Sequence, residues 1–220
     1  MNSKSLAAQI YDDEGVSAAG VARLREILLT LLGGPVEVIN ADAIIAGELK
    51  ARWLVIGGGA DLPYCRRLNG PGNEQIRAFV ASGGGYLGIC AGAYYASALV
   101  DFCGLNCRIF GRRELAFFPG RARGSLPELT GGRLYDEGDA SRAEVELREF
   151  GAERFPYHGG CALLPPPDFT GQILGHYRAN GLPALVSGRV GAGRYLLSGV
   201  HWERRADAVA WGRALLAMMN

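Results

Sequence analysis

The segment Gly83-Gly84-Gly85-Tyr86-Leu87-Gly88-Ile89-Cys90-Ala91-Gly92-Ala93-Tyr94-Tyr95 constrains the fold more than any other part of this chain. It reads as a short buried strand, a sharp turn with a cysteine at its apex, and the start of a helix. The pattern Gly88-x-Cys90-x-Gly92 is the cysteine form of a nucleophile elbow. Small residues flank the apex because larger side chains would clash with neighbouring backbone in so tight a turn. Such a turn lifts the sulfur clear of the sheet and sets it at a helix N-terminus, where backbone N–H groups favour thiolate over thiol. A plain core cysteine can occupy the same local sequence, because free cysteine is among the most buried residue types. The rest of the chain has to separate the two readings.

The alternation around the elbow supplies a scaffold. Residues 6–11 form a short apolar run that reads as a strand ending in Asp12-Asp13-Glu14-Gly15. Ser17 is placed to cap a helix in which Val21, Leu24, Leu28, Leu31 and Leu32 recur at helical spacing until Gly33-Gly34-Pro35 stops it. Residues 36–39 and 52–56 read as further strands, the latter ending in Gly57-Gly58-Gly59, and Ile76, Phe79 and Val80 mark a helix over 73–81. Strands alternating with helices predict an α/β, flavodoxin-like three-layer sandwich with a mostly parallel central sheet. Reactive groups in such sheets gather at the carboxyl ends of the strands, where both the glycine triplet and Cys90 fall.

From about 102 to 160 the character changes. Gly, Pro and Arg become frequent, and short runs such as Arg133-Leu134-Tyr135 and Glu144-Val145-Glu146-Leu147 predict antiparallel hairpins inserted into one domain spanning 1–220. Beyond them, Ala184-Leu185-Val186-Ser187 and Tyr195-Leu196-Leu197-Ser198 read as strands around a Gly-rich turn, and 205–218 as a closing helix.

Bulk properties exclude several classes of function. A formal charge of +1 gives no electrostatic argument for nucleic acid or an anionic membrane. No run approaches a membrane span, and Met1-Asn2-Ser3-Lys4-Ser5-Leu6 lacks a signal peptide's apolar stretch, so a cytoplasmic location is expected. Five cysteines, an odd number without framework spacing, argue against a disulfide scaffold. Cys103-x-x-x-Cys107 has no second pair and no nearby His cluster, so neither a metal nor another cofactor is expected.

A thiolate nucleophile needs a proton partner, usually a histidine oriented by a third residue. Of the three histidines, His158 and His176 have no neighbouring carboxylate, whereas His201 follows an apolar strand and precedes Glu203 by two residues. In extended chain those two positions face the same side, so Glu203 can hold one ring nitrogen and leave the other for the thiol. Ala91 supplies one oxyanion N–H in any elbow, and Gly58 or Gly59 is a candidate for the second.

With these residues in view, the chain resembles the class I glutamine amidotransferase-like superfamily. Within it, the closest similarity is to the biotin-protein ligase N-terminal (BPL_N) domain family, in its standalone bacterial form. The resemblance rests on Gly58-Gly59-Ala60-Asp61-Leu62-Pro63-Tyr64-Cys65, the elbow, Arg113-Glu114-Leu115-Ala116-Phe117-Phe118-Pro119-Gly120, Tyr157-His158-Gly159-Gly160 and Gly199-Val200-His201-Trp202-Glu203. It implies a Cys90-His201-Glu203 triad that cleaves an amide through a thioester. Ala91 and Gly59 would be the oxyanion donors, and Tyr94 and Trp202 would join Gly58 against the ligand.

Two departures bear on the substrate. Tyr94 stands where glutamine-using members carry glutamine, and Trp202 stands where they commonly carry proline, so the expected substrate is not free glutamine. A small amide or carboxylate is the expected ligand, and any synthase or ligase that uses the product would be a separate chain. Gly120-Arg121-Ala122-Arg123-Gly124 is superficially similar to the adenylate loop of biotin ligases but sits in the insertion, so biotin ligation is not expected. Two alternatives stand beside the amidase. One is a catalytically silent binding or regulatory domain with Tyr94, Tyr95, Trp202, Phe117 and Phe118 lining its pocket. The other is PfpI/ThiJ-type chemistry. The arginines Arg112, Arg113, Arg121 and Arg123 are either anion contacts or solvated hairpin charges.

Overall fold

The computed structural model describes residues 5–136, 141–147 and 151–219. Thus Met1 to Lys4 of the N-terminal reading, and positions 137–140 and 148–150 of the expected insertion, lie outside the described residues. The first half alternates as the apolar periodicity requires: β1 (Ala8–Tyr11), α1 (Ala18–Leu32), β2 (Val36–Ile39), α2 (Ala41–Ile45), β3 (Trp53–Ile56), α3 (Asp61–Leu68), α4 (Pro71–Ala81), β4 (Gly85–Ile89) and α5 (Ala91–Tyr95). Ser17 caps α1 by accepting from the N–H of Gly20, and Gly33 ends it in the left-handed conformation. The second half runs β5 (Ser97–Cys103), β6 (Arg108–Arg112), β7 (Phe118–Gly124), β8 (Ser141–Leu147), β9 (Gly151–Tyr157), β10 (Ala162–Leu164), β11 (Gln172–Tyr177), β12 (Pro183–Val190), β13 (Gly193–Ser198) and α6 (Ala208–Ala217).

Nine strands form the central sheet in the order β2-β1-β3-β4-β13-β12-β11-β8-β9. From β2 to β13 every pairing is parallel, and from β13 outward every pairing is antiparallel. β1, β3 and β4 are buried along their whole length, which is why they read as continuous apolar runs rather than alternating ones. Successive residues serve opposite cores. Trp53 and Val55 join α1 and α6 on one face, and Leu54 and Ile56 join α2 to α5 on the other.

The inserted region differs from the expected hairpins. β8 and β9 do form an antiparallel hairpin on the edge of the central sheet, but β10-β7-β5-β6 make a separate four-stranded sheet in which β5 and β7 run parallel. The run Arg133-Leu134-Tyr135 is not a strand; Tyr135 makes one isolated bridge to Gly104. The helix behind the elbow is five residues long before β5 begins. No helix among the described residues is long and apolar enough to cross a membrane.

Register places the site. Ile56 pairs with Gly88, and Ile89 pairs with Ser198. The carboxyl ends of β3, β4 and β13 are therefore level, and the chain leaves them as Gly57-Gly58-Gly59, Cys90 and Gly199-Val200-His201.

Candidate active site

Cys90 sits at φ 52°, ψ −105°, a left-handed backbone that L-residues rarely adopt, between β4 and α5. Its N–H donates to Ser198 O at 2.8 Å, tying the elbow to β13. The turn closes so tightly that a Cβ on Gly92 would stand 2.0 Å from the carbonyl oxygen of Ile56. The Cys90 thiol is buried and donates to the carbonyl of His158 at 3.5 Å.

His201 and Glu203 are brought together with Cys90, though not through extended chain. Residues Trp202–Arg204 form a single 3₁₀ turn whose N-cap is His201. The ring nitrogen Nδ1 of His201 lies 2.6 Å from Glu203 Oε1, both side chains being buried. The turn is held from outside. Arg23 on α1 donates to the carbonyls of Glu203 and Arg205, and the His201 N–H donates to Pro156 O on β9. The second ring nitrogen, Nε2, is buried and unpartnered. Gly58 marks how closely the two groups approach, because a Cβ there would lie 2.9 Å from His201 Cε1 and 3.8 Å from Cys90 Cβ.

Burial alone would push the His201 imidazolium down. The Glu203 carboxylate, by charge and by its hydrogen bond to Nδ1, and the negative charge that Cys90 can carry outweigh it and raise the pKa from 6.5 to about 10. The sign follows from a folded pKa above the unfolded one. The imidazolium's contribution to stability is complete below about pH 6.5 and is lost as pH rises through about 10. An NMR titration of the imidazole C–H resonances is expected to give a His201 midpoint near about 10, lowered in Glu203→Gln. A wild-type midpoint at the ordinary 6.5 would rule out the ion pair.

The backbone N–H groups of Gly59 and Ala91 find no acceptor among the described residues, so both are available to a ligand beside Cys90. The sulfur opens on a cavity of about 740 Å³. Its lining includes Gly58, Gly59, Ala91, Tyr94 and His201, together with the loop Gly15-Val16-Ser17 that follows β1. Tyr94 donates its hydroxyl to Gly159 O at 3.0 Å, and burial holds that phenol protonated by raising its pKa well above the ordinary value.

Several expectations need correction. Trp202 does not reach the cavity. The 3₁₀ turn sends its indole to the other side, where it packs over Gly212 of α6 beside Leu28 and Leu31. Phe117 stacks on Tyr195, Phe118 meets Phe169 edge-on, and Tyr95 is fully buried, so these rings are core. Three of the four insertion arginines are paired. Arg113 Nε donates to the buried carboxylate of Asp61 at 2.6 Å, Arg123 bonds Glu128 at 2.6 Å, and Arg121 lies 3.8 Å from Asp101. Glu114 accepts from Gly70 N–H, Asn73 and Arg77.

His158 and Tyr135 line the cavity without any local signal. His158 has no carboxylate neighbour in sequence, and its place follows from β9 ending beside the His201 turn. Its only mark in the sequence is membership of the Tyr157-His158-Gly159-Gly160 segment. Among the described residues no cluster of three His, Cys, Asp or Glu side chains could hold a metal ion, and all five cysteines are free thiols.

Comparison with known proteins identifies the family and the fold. The sequence model of the family described as biotin-protein ligase, N terminal, matches residues 6–214. An uncharacterized protein of Chlamydia muridarum is 37% identical over 206 residues, covering 88% of this chain and 79% of its own. A biotin–protein ligase of Schizosaccharomyces pombe is 33% identical over 218 residues, covering 90% of this chain but 33% of the ligase, so the chain spans about a third of that protein. Among solved structures, a glutamine amidotransferase superposes with a TM-score of 0.68 at 16% identity, over 97% of this chain and 98% of that one. A putative GMP synthase protein from Thermoplasma acidophilum gives 0.58 at 13% identity, over 97% and 94%. At those identities the superpositions establish the fold, which is that of glutamine amidotransferase-like proteins. With the family match spanning nearly the whole sequence, the chain belongs to the biotin-protein ligase N-terminal domain family.

Proposed function

We propose that the protein is an amidotransferase-like cysteine hydrolase that cleaves an amide other than free glutamine. The observation that carries this reading is the His201–Glu203 contact of 2.6 Å, which leaves a buried, unpartnered Nε2 next to a cysteine held at φ 52°. The Cys90 proton passes to His201 Nε2, and the thiolate attacks the amide carbonyl. The N–H groups of Ala91 and Gly59 receive the charge that develops on oxygen. His201 then returns the proton to the departing amine, leaving an acyl thioester on Cys90. Water activated by the same imidazole releases the acid. Glu203 holds the Nδ1 side of the ring throughout, so that Nε2 is the nitrogen that gains and loses the proton. The amine released passes to solvent or to a separate acceptor enzyme.

The test is to trap the thioester. Incubation with a panel of small amides and activated esters, followed by acid quench and peptide mass spectrometry, is expected to reveal an acyl adduct on Cys90 that hydroxylamine removes. Cys90→Ser should give no hydroxylamine-labile thioester there. An unmodified Cys90 across the panel would defeat the hydrolytic reading and leave a ligand-binding domain that keeps the triad's geometry.

A further inference from the structure

Resting on the assignment of the Cys90 cavity as the reactive site, we infer that the substrate carries a flat aromatic group, which the second sheet selects. Four rings line the cavity in a continuous edge-to-face chain. Tyr94 meets Phe102 at 5.8 Å and 84°, Phe102 meets Tyr135 at 5.6 Å and 70°, and Tyr135 meets His158 at 5.0 Å and 68°. The chain begins on the helix of the elbow and ends at His158, whose carbonyl accepts from the Cys90 thiol. A ring bound along it shares the cavity with the Cys90 sulfur. Edge-to-face and offset contacts are the arrangements aromatic quadrupoles favour, so a planar guest extends a pattern already present in the walls. The Tyr94 hydroxyl is occupied by Gly159, which leaves its ring rather than its polar end for the guest. Val100 and Ile109 of the second sheet, with Leu62 and Pro63 at α3, add further apolar lining.

The charges point the same way. Recognition of a free amino acid requires a carboxylate for its ammonium group and a cation for its carboxylate. Asp61 is the one acidic side chain lining the cavity among the described residues, and it is already paired with Arg113 at 2.6 Å. Of the two arginines in the lining, Arg66 is paired with Glu14 at 2.7 Å and Arg204 lies 3.9 Å from Glu203. A volume of about 740 Å³ also falls in the range of sites that enclose drug-sized molecules. The amide that fits is uncharged near the sulfur and bears an aryl or heteroaryl ring on its acyl or amine side.

Binding to the non-reactive Cys90→Ser protein tests this without needing turnover. Ligand-observed NMR is expected to give N-benzylacetamide a Kd about tenfold lower than that of N-methylacetamide and several-fold lower than that of N-(cyclohexylmethyl)acetamide. Phe102→Ser, and separately Tyr135→Ser on a different segment, should remove most of that preference, with circular dichroism melts showing which variants are folded. Equal affinities for the benzyl and cyclohexylmethyl amides would overturn the aromatic assignment. A benzyl preference unchanged in a folded Phe102 or Tyr135 variant would overturn its placement. Alkylation of wild-type Cys90 by iodoacetamide, read in parallel, reports on the nucleophile alone. An inert Cys90 combined with an intact ring preference would count against hydrolysis and not against the ring site.

Discussion

His201→Ala is expected to slow alkylation of Cys90 by iodoacetamide at pH 7 by about a hundredfold to a thousandfold. Cys90 is buried, and its thiol rests on the His158 carbonyl, an acceptor that gives a thiolate no support. The ring of His201, made more basic by Glu203, is the group beside it that can take the proton and, once cationic, remain as a counter-charge. Removing the ring leaves the sulfur in apolar surroundings, where the neutral thiol is favoured. Glu203→Gln should act in the same direction by a smaller factor, since the imidazole stays but loses the carboxylate that raises its pKa. Peptide mass spectrometry must resolve the site, because Cys107 is an exposed thiol at the same cavity. Equal Cys90 labelling of wild type and His201→Ala would sink the proposed dyad.

Gly92→Ala is expected to cost about 3 kcal/mol, lowering the melting temperature by roughly 6–12 °C for a chain of this size. The added Cβ would stand 2.0 Å from Ile56 O and 2.8 Å from its carbon. Neither partner can step aside. Ile56 ends a strand paired on both sides, and Gly92 is tied back by its own N–H bond to Gly57 O at 3.1 Å. Relief has to come from opening the elbow, so Cys90 alkylation should fall as well. A variant that melts with the wild type would show that the turn is looser than this geometry allows.

How much of this was legible in the sequence depends on whether a feature is local. Ser17 and Gly33 announce both ends of α1 because capping is a matter of one or two residues. The continuous apolar runs of β1, β3 and β4 follow from burial on both faces. The second sheet was not legible as such. Its strands carry Gly, Pro and Arg, and the parallel pairing of β5 with β7 depends on a crossover that no short window contains. The direction of Trp202 was missed for a different reason. Its place against the ligand came from the resemblance, whereas strand alternation already sets Trp202 on the face opposite His201 and Glu203, the side on which it packs against Gly212. His201 and Glu203 meet because His201 is a cap with non-helical backbone and only Glu203 belongs to the turn. His158 and Tyr135 join the site through contacts far apart in sequence, and no spacing rule reaches them.

The division of the strands into two sheets has a consequence for how such a protein can change. Cys90 and His201 follow the ends of β4 and β13 and are both buried, at a place where a single added methyl group meets backbone. Phe102 and Ile109 belong to a different sheet, and both are only half-buried. Exchanges on that sheet can alter which molecule is admitted without reaching the strands that hold the sulfur and the imidazole. On the proposed reading, a change in that wall redirects the guest and leaves the chemistry in place.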